Sequence, residues 1–470
     1  MEFTELSDYP ISAGTLTEWL PSAPFDDGSS PWFDDPRPAS YVHEARLRQA
    51  TRTTGPEHGS WLGTAFEITG QLDTAALAHA LNEWIDRHEA LRSHASISPT
   101  TGAVSRHTIE TGRVRVTARS HGYRTSGAEN HADLAELFDG CTSPLSWPSY
   151  AFATLVPPGP DDRFTVFLAA DHAIIDGLSV VIVAQEIEAL YRQARGGIDA
   201  DLFPVGSYVD FGARERDTAA ELDPGHPVVE LWRSTLDHCG GTLPEFPLDI
   251  GAADPGPVPQ SGVSAWALDA DGADAFTLAC RKLGHSFFAG TLACLGIVGA
   301  ELAGEPRFEA VTPMHTRNDP QLAASVGWYV GLGPICFDVY GAQSFGELAA
   351  RAQAQIAAAK PAARYPYERV SEVLTTAARP RFVVSYMDLR FVPAATQWPE
   401  WNARALRSKQ YEHDVHIWVN RTPRGVNIAA RYPDTGEAAA NVHRYLGRLR
   451  NLMEEVVGTG TCTLADQITR

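Results

Sequence analysis

Apolar and polar positions along the chain change period several times, and each change marks an element. After Trp61, TAFEITG alternates with the period of a strand. Asp73 then stands where a helix cap belongs, and Leu77, Leu81, Trp84, Ile85 and His88 recur on one helical face. ASIS and VSRHTI read as two strands separated by the turn-forming PTTG, and RVRVTAR from Arg113 to Arg119 follows them. A helical stretch near His131 to Phe138 leads through PLSWPSYAFATLV to FTVFLAA, a short run apolar on both faces, as in a buried strand. The next helix opens near Leu178 and runs to about Arg195, where two glycines end it.

Residues 1–40, rich in Pro, Asp and Ser, read as an irregular arm able to lend one short strand. From Arg195 to about Gln260 the chain is dense in Pro, Gly and Asp and reads as a connector. Beyond it, VSAWALDADGADAFTLACRKLG repeats the order strand, capping Asp and amphipathic helix seen in ITGQLDTAALAHALNEWIDRH, a faint sign of duplication. The remaining strands and helices mix without regular βα alternation up to a final helix near Ala440 to Val457, which predicts an α+β fold.

With 470 residues the chain exceeds one ordinary core, so two domains are expected, divided as residues 1–215 and 216–470. A formal charge of -20 without Lys or Arg clusters argues against nucleic acid as a partner. The N-terminus lacks a basic, apolar leader, and SFFAGTLACLGIVGA is too short to span a bilayer. It reads as a buried helix, with no stable membrane insertion. Six scattered cysteines without CxxC pairs fit a reducing cytoplasm and give no metal site. His413 and His416 in HDVH would point to opposite faces of a strand, which speaks against metal there too.

The chemistry concentrates in FTVFLAADHAIIDGLSVVIVAQEIEAL. Between the strand and the helix, DHAIIDG forms a turn in which side chains can reach a cleft. His172 there can take a proton near neutrality, since imidazole has a pKa of about 6.5. Asp176, among Ile174, Ile175 and Leu178, is costly as a buried ion unless an arginine meets it. Gly177 lets the backbone bend or a substrate come close.

HxxxDG after an apolar strand resembles the HHxxxDG signature of the condensation-domain and chloramphenicol-acetyltransferase-like acyltransferase superfamily. RHEALR at Arg87 to Arg92, the TPxxxR segment ending at Arg317, SVGWYVGLGP from Ser325 and PYERV from Pro366 follow in the family's order. GTLTEW and GSYVDF are most similar to freestanding actinobacterial polyketide-associated acyltransferases. The resemblance implies two acetyltransferase-like lobes arranged as a V-shaped pseudo-dimer with a central tunnel. It also implies an enzyme that moves an acyl group from a thioester to a hydroxyl or amine in specialised polyketide or lipid metabolism. His172 would be the general base, and Asp176, Gly177 and Arg317 would be structural, with Arg317 the partner of Asp176. No cofactor is implied beyond acyl-CoA or a phosphopantetheinyl carrier protein as co-substrate, and a monomer is expected.

The first histidine of the signature is Asp171 here. Beside His172 this carboxylate would raise the imidazole's pKa or bind an amine-bearing substrate. His315, Trp328 and Tyr329 are further candidates for substrate contact, although core packing fits the two aromatic residues equally. Two other functions fit the sequence: a freestanding nonribosomal peptide condensation enzyme acting on carrier-bound partners, and a non-catalytic module that recruits a carrier protein.

Overall fold

A computed structural model describes residues 1–24, 30–52, 60–159, 162–251 and 258–469. Residues 252–257 of the Pro- and Gly-rich connector lie outside the described residues. The chain forms two compact units. The first comprises Met1–Ala220 with two returning segments, Arg317–Tyr329 and Val392–Gln410, and the second comprises the rest. A linear cut after residue 215 does not represent those returning segments.

The first unit contains β1 (Glu2–Glu5), β2 (Gly14–Ser22), β3 (Trp32–Asp35), α1 (Tyr41–Arg52), β4 (Trp61–Thr69) and α2 (Thr74–Arg87). It continues with β5 (Ser93–Ile97), β6 (Val104–Ile109), β7 (Arg115–Arg124), α3 (Gly127–Cys141), β8 (Tyr150–Val156), β9 (Arg163–Asp171), α4 (Gly177–Ala194) and α5 (Tyr208–Ala219). The second holds α6 (Pro227–His238), β10 (Gln260–Asp269), α7 (Ala270–Lys282), α8 (Phe287–Ala303), β11 (Arg307–His315), β12 (Val330–Asp338), α9 (Phe345–Ala362), α10 (Tyr367–Leu374) and β13 (Phe382–Asp388). After β14 (Arg404–Arg407), which belongs to the first unit, come β15 (Val415–Thr422), β16 (Gly425–Pro433) and α11 (Gly436–Thr459).

In the first unit a seven-stranded sheet runs β1-β14-β4-β9-β8-β2-β7, beside a three-stranded sheet β3-β6-β5. β9 lies inside the larger sheet, paired with β4 and β8. This explains its continuous apolar run, because both faces are covered. On one face Phe138 of α3 meets Trp61. On the other, Trp84 of α2 meets Phe152, and Tyr191 of α4 meets Phe164. α2 begins where expected: the Asp73 carboxylate accepts from the Ala75 and Ala76 amides, both at 3.0 Å.

Two expectations need correction. The N-terminal arm supplies three strands, and β2 is an internal member of the large sheet. The connector contains two helices, α5, capped by Ser207, and α6, which starts with Pro227 at its first position, where the missing N–H costs no bond.

In the second unit the sheet runs β10-β16-β15-β13-β11-β12. α7, α8, α9 and α11 pack on it through one continuous core. α8 is buried from Phe287 to Ala300, as a core helix. Among the described residues no single helix is long and apolar enough to cross a membrane.

Candidate active site

The HxxxDG turn joins two rigid elements of the first unit, the buried end of β9 and the first turn of α4. Its backbone is fixed before any side chain is considered. The amide of His172 donates to the Ser60 carbonyl at 2.8 Å, Asp171 N–H to Ser149 O at 2.9 Å, and Ile174 N–H to Asp171 O at 3.1 Å. Tyr208, from the GSYVDF segment, adds a hydroxyl donated to the Ala173 carbonyl at 3.3 Å.

Asp176 ends the turn and caps α4. Its carboxylate accepts from Ser179 N–H at 2.8 Å, Ser179 Oγ at 2.7 Å and the Tyr329 amide at 3.0 Å. Arg317 binds it with both terminal nitrogens, at 2.5 and 3.0 Å, with both side chains buried. The guanidinium spends its other donors on the Leu322 and Ser325 carbonyls, at 3.1 and 3.0 Å, and lies over the Tyr329 ring at 4.3 Å. Burial alone would push the Asp176 carboxyl up, but Arg317 and Ser179 outweigh it and hold the group below its ordinary value. It is therefore an ion at neutral pH. Gly177 is absent from the described glycines with positive φ, so left-handed backbone is not the reason for a glycine there.

His172 is half-buried, with its ring stacked on Trp328 at 4.0 Å and 29°. Nδ1 is enclosed and has no hydrogen-bond partner among the described residues, which leaves Nε2 as the nitrogen able to meet a substrate. Burial pulls the imidazole pKa from 6.5 down to about 4, against the backbone groups of His172 and Ile175 and the charge of Asp176. At neutral pH the ring is uncharged.

The candidate substrate contacts separate. Trp328 is half-exposed and touches the imidazole, whereas Tyr329 is completely buried between Tyr208, Phe211 and Arg317 and serves as packing. His315 lies exposed at the end of β11 in the second unit. Asp171 is enclosed and paired with Arg46 at 2.9 Å, so it has no room for an amine of a substrate. The raised imidazole pKa expected from Asp171 is also absent, because burial moves His172 the other way.

Sequence reading undervalued His88 and passed over Glu186. His88 Nδ1 accepts the Val326 amide at 3.3 Å, so Nε2 carries the proton it donates to Glu186 at 2.7 Å. Trp84 Nε1 at 2.8 Å and Arg87 Nε at 3.0 Å complete the partners of that carboxylate. This network ties α2 and α4 to the segment before Trp328. The available signal was a glutamate inside the apolar run of α4.

Gly327 makes the segment fit. A Cβ there would lie 2.5 Å from Tyr208 Cδ2 and 2.6 Å from Tyr329 Cε2. Gly327→Ala is expected to cost about 1–3 kcal/mol by overpacking and to lower the melting temperature by several degrees. Since Trp328 must shift with its neighbours, Trp fluorescence should change with stability.

Residues 46–467 match the family model described as the condensation domain, and the chain belongs to that family. Within it the chain is of acyltransferase type. It is 28% identical over 467 residues to acyltransferase PapA3 of Mycobacterium tuberculosis, spanning 97% of this chain and 96% of that protein. It is 27% identical over 474 residues to 2'-acyl-2-O-sulfo-trehalose (hydroxy)phthioceranyltransferase PapA1 of the same species, spanning 98% of this chain and 90% of that protein. In fold it resembles the solved PapA2 acyl transferase, with a TM-score of 0.86 and 24% identity over 97% of this chain and 100% of that one.

Proposed function

We propose that this protein transfers an acyl group from a thioester, carried on coenzyme A or a phosphopantetheinyl carrier protein, to a hydroxyl, with His172 as general base. The carrying observation is a neutral imidazole with an enclosed Nδ1, which leaves Nε2 to meet a substrate, on a turn that a buried ion pair secures. Full-length kinship to acyltransferases favours this reading over peptide condensation or carrier recruitment. A hydroxyl acceptor is favoured over an amine, because Asp171 is already occupied by Arg46. The name of the PapA1 relative, which acts on a sulfated trehalose, makes a carbohydrate the first acceptor to test.

Nε2 accepts the acceptor's proton as its oxygen attacks the thioester carbonyl, and a tetrahedral oxyanion forms. Collapse breaks the C–S bond, and the imidazolium returns the proton to the departing thiolate. The low pKa keeps the base in its free form, and the developing imidazolium is steadied by Asp176 and by the oxyanion formed beside it. The first-turn amides of α4 at Gly177 and Leu178, which have no intrahelical acceptor, are the backbone donors we assign to that oxyanion. Incubating the protein with palmitoyl-CoA or palmitoyl carrier protein and trehalose, with products weighed by mass spectrometry, tests the proposal. An ester product supports it, and free fatty acid alone contradicts it.

The depressed pKa also fixes the pH dependence. The acid limb of kcat/KM should lie near pH 4, well below 6.5, with a plateau from about 5.5 upward. For stability the sign follows from linkage: between those two pKa values the unfolded chain binds the proton and the folded chain does not. The contribution of His172 is therefore full above pH 6.5 and is lost as pH falls toward 4. Initial rates and melting temperatures across pH 4–8 check both limbs.

A further inference from the structure

The turn that carries His172 is gripped at both ends. At the C-terminal end Arg317 holds Asp176. At the N-terminal end Arg46 of α1 holds Asp171 through Nη2 at 2.9 Å and Nε at 3.2 Å, with both side chains buried. The same aspartate closes the turn itself: its carboxylate accepts the Ala173 amide at 2.8 Å and its carbonyl accepts Ile174 N–H. Burial pushes the Asp171 carboxyl up, and Arg46 is the main opposing influence.

We propose that Arg46 is a positioning residue for His172: through Asp171 it fixes the N-terminal half of the turn as Arg317 fixes the C-terminal half through Asp176. Two buried carboxylate–guanidinium pairs, one from α1 and one from the segment after β11, thus bracket a single imidazole. Among the described residues, the charged groups acting on that ring are Asp176, which favours its protonated form, and Arg46, which opposes it; Trp328 on its face is uncharged. Removing Arg46 raises the imidazole pKa whichever way Asp171 responds. If the carboxylate stays ionised, an unpaired anion sits beside the ring; if it protonates, a repelling cation has gone. Loosening of the turn adds water, with the same sign.

Only the expected loss of rate rests on His172 being the base; the positioning can be read from the ring itself. The test is an NMR titration of the full-length protein labelled at histidine, from pH 5 to 8, with the His172 signal assigned by its loss in His172→Ala. The parent ring is expected to stay neutral throughout. In Arg46→Met its midpoint should rise by at least one pH unit, and kcat should fall about tenfold or more while KM stays within twofold. Arg46→Met/Asp171→Asn keeps an acceptor for the Ala173 amide and, like a protonated Asp171, lacks both charges, so its midpoint should still lie above the parent's and no higher than that of Arg46→Met. A folded Arg46→Met protein, judged by circular dichroism, that titrates like the parent would overturn the proposal. Should Arg46→Met not fold, Arg46→Gln keeps a neutral donor to Asp171, and an unshifted midpoint there would overturn it equally. Absence of acyl transfer in the parent would sink the functional reading and leave the titration still decisive for Arg46.

Discussion

His172→Ala is expected to lower acyl transfer by about a hundredfold to ten-thousandfold while the protein stays folded. The two effects separate because the ring contributes little to the core. It is half-buried, touches Trp328 on one face, and makes no side-chain hydrogen bond through Nδ1 among the described residues. The backbone of the turn keeps its bonds to Ser60, Ser149 and Asp171 whatever side chain residue 172 carries. Thioester hydrolysis and acyl transfer measured beside a thermal melt check this: the melting temperature should move by a few degrees at most, and the transfer rate should collapse.

Arg317→Met is expected to have the largest effect on stability, and it should also remove activity. It leaves the Asp176 carboxylate buried with only Ser179 and the Tyr329 amide to satisfy it, and strips donors from the Leu322 and Ser325 carbonyls. Removing one partner of a buried pair costs about 3–5 kcal/mol, which corresponds to a melting temperature roughly 10 °C lower. Activity follows, because Asp176 caps α4 and draws Tyr329, next to Trp328, onto the turn. Arg317→Lys should recover part of the stability, since one charged donor can still reach the carboxylate, but cannot replace the two-pronged contact. Differential scanning calorimetry of both variants supplies the comparison, and an Arg317→Met protein as stable as the parent would show that the pair carries little.

The site was half legible in the sequence. The strand, the turn and the helix could be read because the apolar run of β9 stops at Asp171 and a second apolar run opens near Leu178. That Asp176 needs a cation followed from its apolar neighbours. Which arginine supplies it did not follow from spacing, since 141 positions separate the partners, and only the ordered family segments pointed to Arg317. Arg46 lies 125 positions from Asp171 in a helix without a diagnostic pattern, so that pairing exists only in three dimensions.

The fold shows the same division. β2 was hidden by the proline content of its neighbourhood, yet Pro21 lies beyond Trp19, where the pairing with β8 ends, so its missing N–H breaks no bond on that side. α6 was hidden in a stretch dense in Pro, Gly and Asp, where Pro227 nevertheless begins a helix. Tyr329 and Trp328 are adjacent and chemically alike, but opposite sides of the segment place one in the core and the other on the imidazole, a distinction that composition does not contain.

The role of the imidazole is tested most directly by the slope of rate against pH in His172→Ala, set beside the parent. If Nε2 removes the acceptor's proton, the parent rate is level between about pH 5.5 and 8, and the residual rate of the variant climbs roughly tenfold per pH unit, because solvent base must then supply the deprotonated acceptor. Parallel, level profiles in the two proteins would contradict general-base catalysis by His172.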